Sequence, residues 1–255
     1  MKPEVRVASN IDASHRMAAT EFVRAALASV GQKGCFTVSL SGGSTPRALY
    51  SMLATNPEFR SQIPWQKCFF FWGDERHVPP DHAESNFRMA REAMLRNVPV
   101  PPAQVLRISG ELPDPSEGAR EYEQMLSACF RLKRGELPRF DLALLGMGQD
   151  GHTASLFPGT DALKETERMV VDNWVGKFNS HRITLTVPVF NNSVRVMFLV
   201  SGEDKAPALR AVLEGPFVPV QLPAQLIQPR TGSALWLVDY KAANLLRITP
   251  LQEVS

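Results

Sequence analysis

The sequence predicts an α/β fold with a mainly parallel central sheet covered by helices on both faces. Three observations lead there. Short, continuous apolar runs recur along the chain, among them "CFTVSL" (35–40), "CFFFWG" (68–73) and "FDLALLG" (140–146). Such runs do not alternate with polar residues, which marks strands buried on both faces. Between them lie segments whose apolar residues recur at three- and four-residue spacing, as the crossover helices of a parallel sheet do. Finally, 255 residues with 44% apolar and 21% charged content suffice for a full globular core. One domain spanning residues 1–255 is expected.

The elements follow in order. Residues 12–30 read as a helix, 35–40 as a strand and 46–53 as a helix. After the strand at 68–73 comes a helix over 85–97, with Ser85 or Asn86 as its cap. Residues 115–133 give another helix and 140–146 another strand. "RITLTV" (182–187) and "VRVMFLVSG" (194–202) are strands, and 203–215 is a helix with Pro207 near its first turn. "SALWLVD" (233–239) is the last strand. The proline-rich stretches 98–102 and 216–229 read as surface connections. Connections between successive parallel strands are expected to be right-handed.

Composition excludes several functional classes. A net charge of +2 argues against nucleic acid and against a charged membrane surface. No apolar stretch approaches the length of a membrane span, and "MKPEVRVASN" lacks the apolar core of a secretory leader. Cys35, Cys68 and Cys129 are few, odd in number and far apart; Cys35 and Cys68 sit beside apolar runs, which suggests buried free thiols. A cytoplasmic location fits. The histidines share no metal-ligand spacing, so no metal site is expected. No G-x-S-x-G elbow is present, so hydrolysis would need activated water.

In parallel sheets the ligand site lies at the carboxyl ends of the strands. After the strand at 35–40 comes Ser41-Gly42-Gly43-Ser44-Thr45-Pro46. Gly42 and Gly43 permit a tight turn, Ser44 or Thr45 can cap the following helix, and the free N–H groups there suit a phosphate. After 68–73 come Asp74, Glu75, Arg76 and His77. Asp74 can orient a sugar hydroxyl or act as a base, and Arg76 can hold an anion with both arms. Glu75 reads as structural. Arg182 and Lys205 are further cationic candidates; a lysine opening a helix is unfavourable for the dipole unless an anion is nearby.

After 140–146 comes "LLGMGQDGHTASLFPG" (144–159). Gly146, Gly148 and Gly151 satisfy G-x-G-x-x-G, and Asp172 lies about twenty residues on. Yet the dinucleotide motif needs a long helix, and Pro158 stops any helix that starts near Gly151. Asp150 would also repel a pyrophosphate. The pattern match is therefore accidental. The glycines bring backbone close to a small ligand and let His152 and Asp150 project at the strand end. A histidine beside an acid in such a loop suits a general base at neutral pH.

Six segments, in order, together resemble the 6-phosphogluconolactonase family of the glucosamine/galactosamine-6-phosphate isomerase superfamily. They are "LSGGSTPRALY", "FFFWGDERHVPPDHAESNFRMA", "LLGMGQDGHTASLFPGT", "RITLTVPVFNNS", "VMFLVSGEDKA" and "LWLVD". The resemblance implies a Rossmann-like domain without a dinucleotide, and no metal or organic cofactor. It implies hydrolysis of 6-phospho-D-glucono-1,5-lactone in the oxidative pentose phosphate pathway. That gives a functional link to glucose-6-phosphate dehydrogenase and leaves physical contact between the two open. His152 falls on the family's catalytic histidine and Asp74 on its acidic position. Ser44 and Thr45 fall on the phosphate loop, and Arg182 and Lys205 on basic positions near the phosphate.

Two rivals remain. Glucosamine-6-phosphate deaminases share these loops but carry a glutamate five residues after the histidine; here that position is Phe157, which cannot transfer protons. A sugar-phosphate sensor would keep the fold and regulate a partner, but no basic helix-turn-helix stands out.

Overall fold

The computed structural model describes residues 4–247. Five strands expected from apolar runs are present: β2 (Phe36–Leu40), β3 (Cys68–Trp72), β5 (Leu142–Gly146), β8 (Arg195–Val200) and β9 (Ser233–Asp239). With β1 (Glu4–Ala8) they form a six-stranded sheet in the order β1-β9-β8-β5-β2-β3. Every pairing in it is parallel. All five residues of β2 are buried, as expected of a strand covered on both faces. One acid interrupts the apolar run that leads into β5, and its place is explained. Buried Asp141 accepts hydrogen bonds from Thr37 N (2.8 Å) and Thr37 Oγ1 (2.9 Å) and pairs with Lys33 at 2.9 Å, pinning the starts of neighbouring strands together.

A second sheet was not expected. β4 (Asp74–Arg76), β6 (Val170–Val175) and β7 (Ser180–Leu185) form a three-stranded antiparallel sheet in the order β4-β7-β6. The "RITLTV" strand therefore belongs to this sheet and not to the parallel one. The chain passes from β3 into β4 through Gly73 alone, whose N–H donates to Leu40 O (2.8 Å) and whose carbonyl accepts from Leu185 N (2.8 Å). The two sheets thus share one junction, and the small sheet stands at the carboxyl edge of the large one.

Helix α1 (Ile11–Lys33) starts at Asn10, whose side chain accepts from Ala13 N, and ends at Gly34 in the left-handed region at φ 82°. It packs on β1, β2 and β9. Helices α2 (Ser44–Thr55), α3 (Pro57–Arg60) and α4 (Asn86–Ala93) follow. Ser85 caps α4 by accepting from Arg88 N at 3.1 Å, so Asn86 is left for other work. Helix α5 (Pro115–Phe130) packs against the small sheet, on β6 and β7. Its buried Tyr122 accepts from Trp72 N (2.8 Å) and donates to Trp72 O (3.1 Å), fixing the end of β3. Helices α6 (Val187–Asn191), α7 (Ala206–Glu214) and α8 (Tyr240–Ala243) complete the set. Cys68 is buried as expected, Cys35 is only half-buried and Cys129 is exposed; all three are free. No helix among the described residues is long and apolar enough to cross a membrane.

Candidate active site

Chain order reverses at β2. β3 pairs on one side of it, and the next parallel strand, β5, pairs on the other. A crevice opens outside the carboxyl ends of strands at such a switch point. A cavity of about 260 Å³ lies there. Its walls are the Ser41–Pro46 turn after β2, Gly146–Gly148 and His152 after β5, and Leu199–Ser201 with Lys205 after β8. Asp74, Arg76 and Asn86 close it from the side of the small sheet.

The loop after β5 is not a helix start. Gly148 N donates to His152 O (2.9 Å), Gly151 N donates to Gly148 O (3.1 Å), and Thr153 Oγ1 donates to Gly146 O (2.8 Å). These bonds fold the loop into a compact knot that brings Asp150 and His152 together. His152 Nδ1 lies 2.5 Å from Asp150 Oδ1, and Lys177 Nζ lies 3.0 Å from Asp150 Oδ2. Burial alone would raise the Asp150 pKa. The hydrogen bonds from His152 and Lys177 overcome it and hold the carboxyl well below the ordinary carboxylate range. An ionised carboxylate only accepts, so Nδ1 carries the proton and Nε2 is left as the basic nitrogen.

The glycines have separate reasons. A Cβ on Gly148 would sit 2.0 Å from His152 Nδ1, whereas one on Gly146 meets nothing within 4 Å. Gly151 takes φ 72°. Ala154, a cavity-lining residue, holds φ 48°, an uncommon conformation for a residue with a side chain. Phe157 is buried and stacks on His152, with ring centroids 4.0 Å apart and planes at 23°.

At the turn after β2, Gly43 is the N-cap of α2, with φ 107° and no side-chain cap bond. The expectation that Ser44 or Thr45 caps this helix is corrected: both lie in its first turn, because Gly43 adopts a backbone angle that few other residues take. The free N–H groups and both hydroxyls stay available to a ligand. Buried Tyr50 fixes the entry to this turn, accepting from Ser41 N (3.0 Å) and donating to Ser41 O (2.9 Å). A Cβ on Gly42 would strike Asn86 Oδ1 at 1.9 Å.

The small sheet brings the charges. Asp74 is buried; its Oδ2 accepts from Ser155 Oγ at 2.7 Å, and Asn86 Nδ2 lies 3.4 Å from Oδ1 and 2.9 Å from the Asp74 carbonyl. Glu75 turns the other way and accepts from the backbone N–H groups of Arg76, Asn86 and Phe87. Burial pushes its carboxyl up despite these bonds. Arg76 and Arg182 are directly opposite across β4 and β7. Both donate to neutral oxygens: Arg76 to the Glu84 carbonyl, Arg182 to Ser180 Oγ (2.9 Å) and the His181 carbonyl (3.2 Å). Burial, and next the Arg76 charge, pull the Arg182 guanidinium below its ordinary value. An anion beside this pair relieves both effects.

Arg182 itself stands behind Arg76 and is not among the cavity-lining residues. Lys205 lines the cavity, pairs with Asp204 at 3.3 Å and is the residue just before α7. The other expected residues, Gly42, Gly43, Ser44, Thr45, Asp74, Arg76 and His152, line the cavity together; Asp150 sits behind His152. Among the described residues no cluster of histidine, cysteine and carboxylate groups suits a metal ion. Sequence reasoning missed Asn86, Ser155 and Lys177. Asn86 was weighed only as a helix cap, and the other two reach their partners across 81 and 27 residues.

The family model for glucosamine-6-phosphate isomerases/6-phosphogluconolactonase matches residues 9–236. The chain belongs to this family. Among similar proteins is the 6-phosphogluconolactonase of Synechocystis sp., 43% identical over 219 residues, 86% of this chain and 88% of that protein. The human 6-phosphogluconolactonase is 40% identical over 230 residues, 88% of this chain and 86% of that protein. The solved 6-phosphogluconolactonase of Trypanosoma cruzi superposes with a TM-score of 0.84 at 30% identity, covering 97% of this chain and 98% of that one. Family membership fits the site: a crevice rich in anion-binding groups around one histidine–aspartate pair.

Proposed function

We propose that this chain hydrolyses 6-phospho-D-glucono-1,5-lactone to 6-phosphogluconate, with His152 as general base. The observation that carries the residue assignment is the contact of cavity-lining His152 with Asp150 behind it, which leaves Nε2 as the free basic nitrogen. The 6-phosphate sits among the α2 N-terminus, Arg76, Lys205 and, behind them, Arg182. Anchoring there places the lactone carbonyl near His152. His152 Nε2 takes a proton from water as the water oxygen attacks C1. The C1–O5 bond of the tetrahedral intermediate then breaks, and the imidazolium returns the proton to O5. Asp150 stabilises the imidazolium between these steps. The N–H groups of Gly148 and Gly151 are used within the loop, so oxyanion stabilisation from this loop falls to its other N–H groups. Asp74, already engaged by Ser155 and Asn86, orients a substrate hydroxyl and braces the loop in this scheme.

The deaminase reading loses support at Phe157. Its ring is packed face to face on His152 and offers no proton-transfer group. A soluble, cytoplasmic enzyme acting on the product of glucose-6-phosphate dehydrogenase, with no need for nucleic acid or cofactor, completes the proposal.

The test generates the lactone in place with glucose-6-phosphate dehydrogenase and follows its disappearance. The wild type is expected to exceed the spontaneous rate, and His152→Ala to lose roughly 10²–10⁴ of that acceleration. A wild type no faster than the spontaneous reaction rejects the assignment.

A further inference from the structure

The turn between β6 and β7 belongs to the sheet that sequence patterning missed, yet it reaches Asp150 directly and His152 through Phe157. It is a 3-10 turn, Gly176–Phe178, closed by Asn179 in the left-handed region at φ 46°. From it Lys177 Nζ reaches Asp150 Oδ2 at 3.0 Å. The next residue, Phe178, meets the Phe157 ring edge-on, with centroids 5.6 Å apart and planes at 75°. Phe157 in turn stacks on His152 at 4.0 Å. The Arg182 guanidinium covers Phe178 at 5.4 Å from its centroid.

We propose that this turn positions the catalytic pair: Lys177 fixes the Asp150 carboxylate, and Phe178, through Phe157, fixes the plane of the His152 ring. The proposal rests on the lactonase reading for its activity assay. Asp150 sits on a loop, and a carboxylate held by one oxygen can swing about its side-chain bonds. Held at Oδ1 by His152 and at Oδ2 by Lys177, it cannot. The imidazole has one in-plane anchor, at Nδ1, and an aromatic face against it. These contacts leave Nε2 a single direction, which a base 3 Å from its water requires. The Lys177 side chain is 59% exposed, so the pair adds little to stability. Its consequence is geometric. The other charges around the pair are Lys205 with its partner Asp204, which also accepts from Gln149, and Asp74 and Arg76 on β4. Only Lys177 binds Asp150 from outside its own loop among the described residues.

The experiment compares wild type, Lys177→Met, Lys177→Arg and Phe178→Ala in the lactone assay across pH, with ¹⁵N NMR of the His152 ring. Lys177→Met is expected to lower kcat roughly two- to fivefold with KM nearly unchanged. Its acid limb moves up in pH, because a cation beside the pair is gone. Lys177→Arg restores most of kcat. Phe178→Ala lowers kcat without moving the acid limb, since no charge changes. Unchanged kcat and an unchanged pH profile in Lys177→Met overturn the proposal. So does a change confined to KM, which would make Lys177 a substrate contact. If the wild type fails to hydrolyse the lactone, the lactonase reading falls by itself. The NMR arm then still decides: one Nδ1–H tautomer in the wild type and a mixture in Lys177→Met supports positioning, and identical spectra reject it.

Discussion

The two sheets of this molecule contribute different things to one cavity. The six-stranded parallel sheet supplies backbone: a glycine turn after β2, a compact knot after β5, and the approach to Lys205 after β8. Its inner strands β2, β5 and β8 are buried on both faces and have no room for charges except at their ends. The three-stranded antiparallel sheet supplies charge and orientation: Asp74, Arg76 and Arg182 on its strands, and Lys177 on its turn. Asn173 of β6 ties the two together, donating to Ser155 O at 2.8 Å within the loop that follows β5. A rigid sheet thus sets where the reacting groups are, and a smaller one sets what they face.

The sharpest way to break the first contribution is Gly148→Ala. The added methyl lies 2.0 Å from His152 Nδ1 and 2.1 Å from Cε1, so the ring must move. Displacement of about 1 Å at a reacting group costs roughly 10²-fold, and kcat of this variant is expected to fall by that order in the lactone assay. Gly146→Ala is the comparison: its methyl meets no protein atom within 4 Å, so kcat is expected to stay within about threefold of wild type, and any loss to fall on KM because Gly146 lines the cavity. Equal losses in the two variants would show that the glycines serve backbone flexibility and not room for the histidine.

The second contribution is tested by Arg182→Gln. Arg182 has no carboxylate ion pair among the described residues, and its charge is held unfavourably by burial and by Arg76 until an anion arrives. Loss of this charge from behind Arg76 is expected to raise KM roughly three- to tenfold and to leave kcat within about threefold. Steady-state kinetics check the split. An unchanged KM would move the phosphate away from this pair, to Lys205 and the α2 N-terminus alone.

The same contrast explains what the sequence could reveal. β2, β3, β5, β8 and β9 are continuous apolar runs, and each was legible. β1 was not: it is an edge strand whose Arg6 pairs with Glu4 and Glu21, so it reads as polar. β4 has three residues, and β6 alternates in burial with Asp172 and Trp174 outward, so neither makes an apolar run. The site divides likewise. His152, Asp150 and the glycines stand within a few residues of one another, so local spacing exposes them. Asp74 with Ser155, and Lys177 with Asp150, meet only because the second sheet forms. Asn86 looked like a cap because Ser85, its neighbour, is one.

The smallest expected effect lies where the two sheets meet, at Asp150, and it is read in stability. Its carboxyl is bound by His152 from one side and Lys177 from the other, which holds its folded pKa below the ordinary value of 3.8. A group depressed in this way contributes stability that is complete above the unfolded value and is lost as pH falls toward the folded one. The Asp150 side chain is 29% exposed and its Lys177 partner more so, which limits the contribution to about 1 kcal/mol or less. Asp150→Asn has no such charge. Thermal melts of the two proteins are therefore expected to be furthest apart above the unfolded value of 3.8 and to converge progressively as pH falls below it toward the depressed folded value. A gap that stays constant over that range would mean that the turn and the loop meet without sharing a charge.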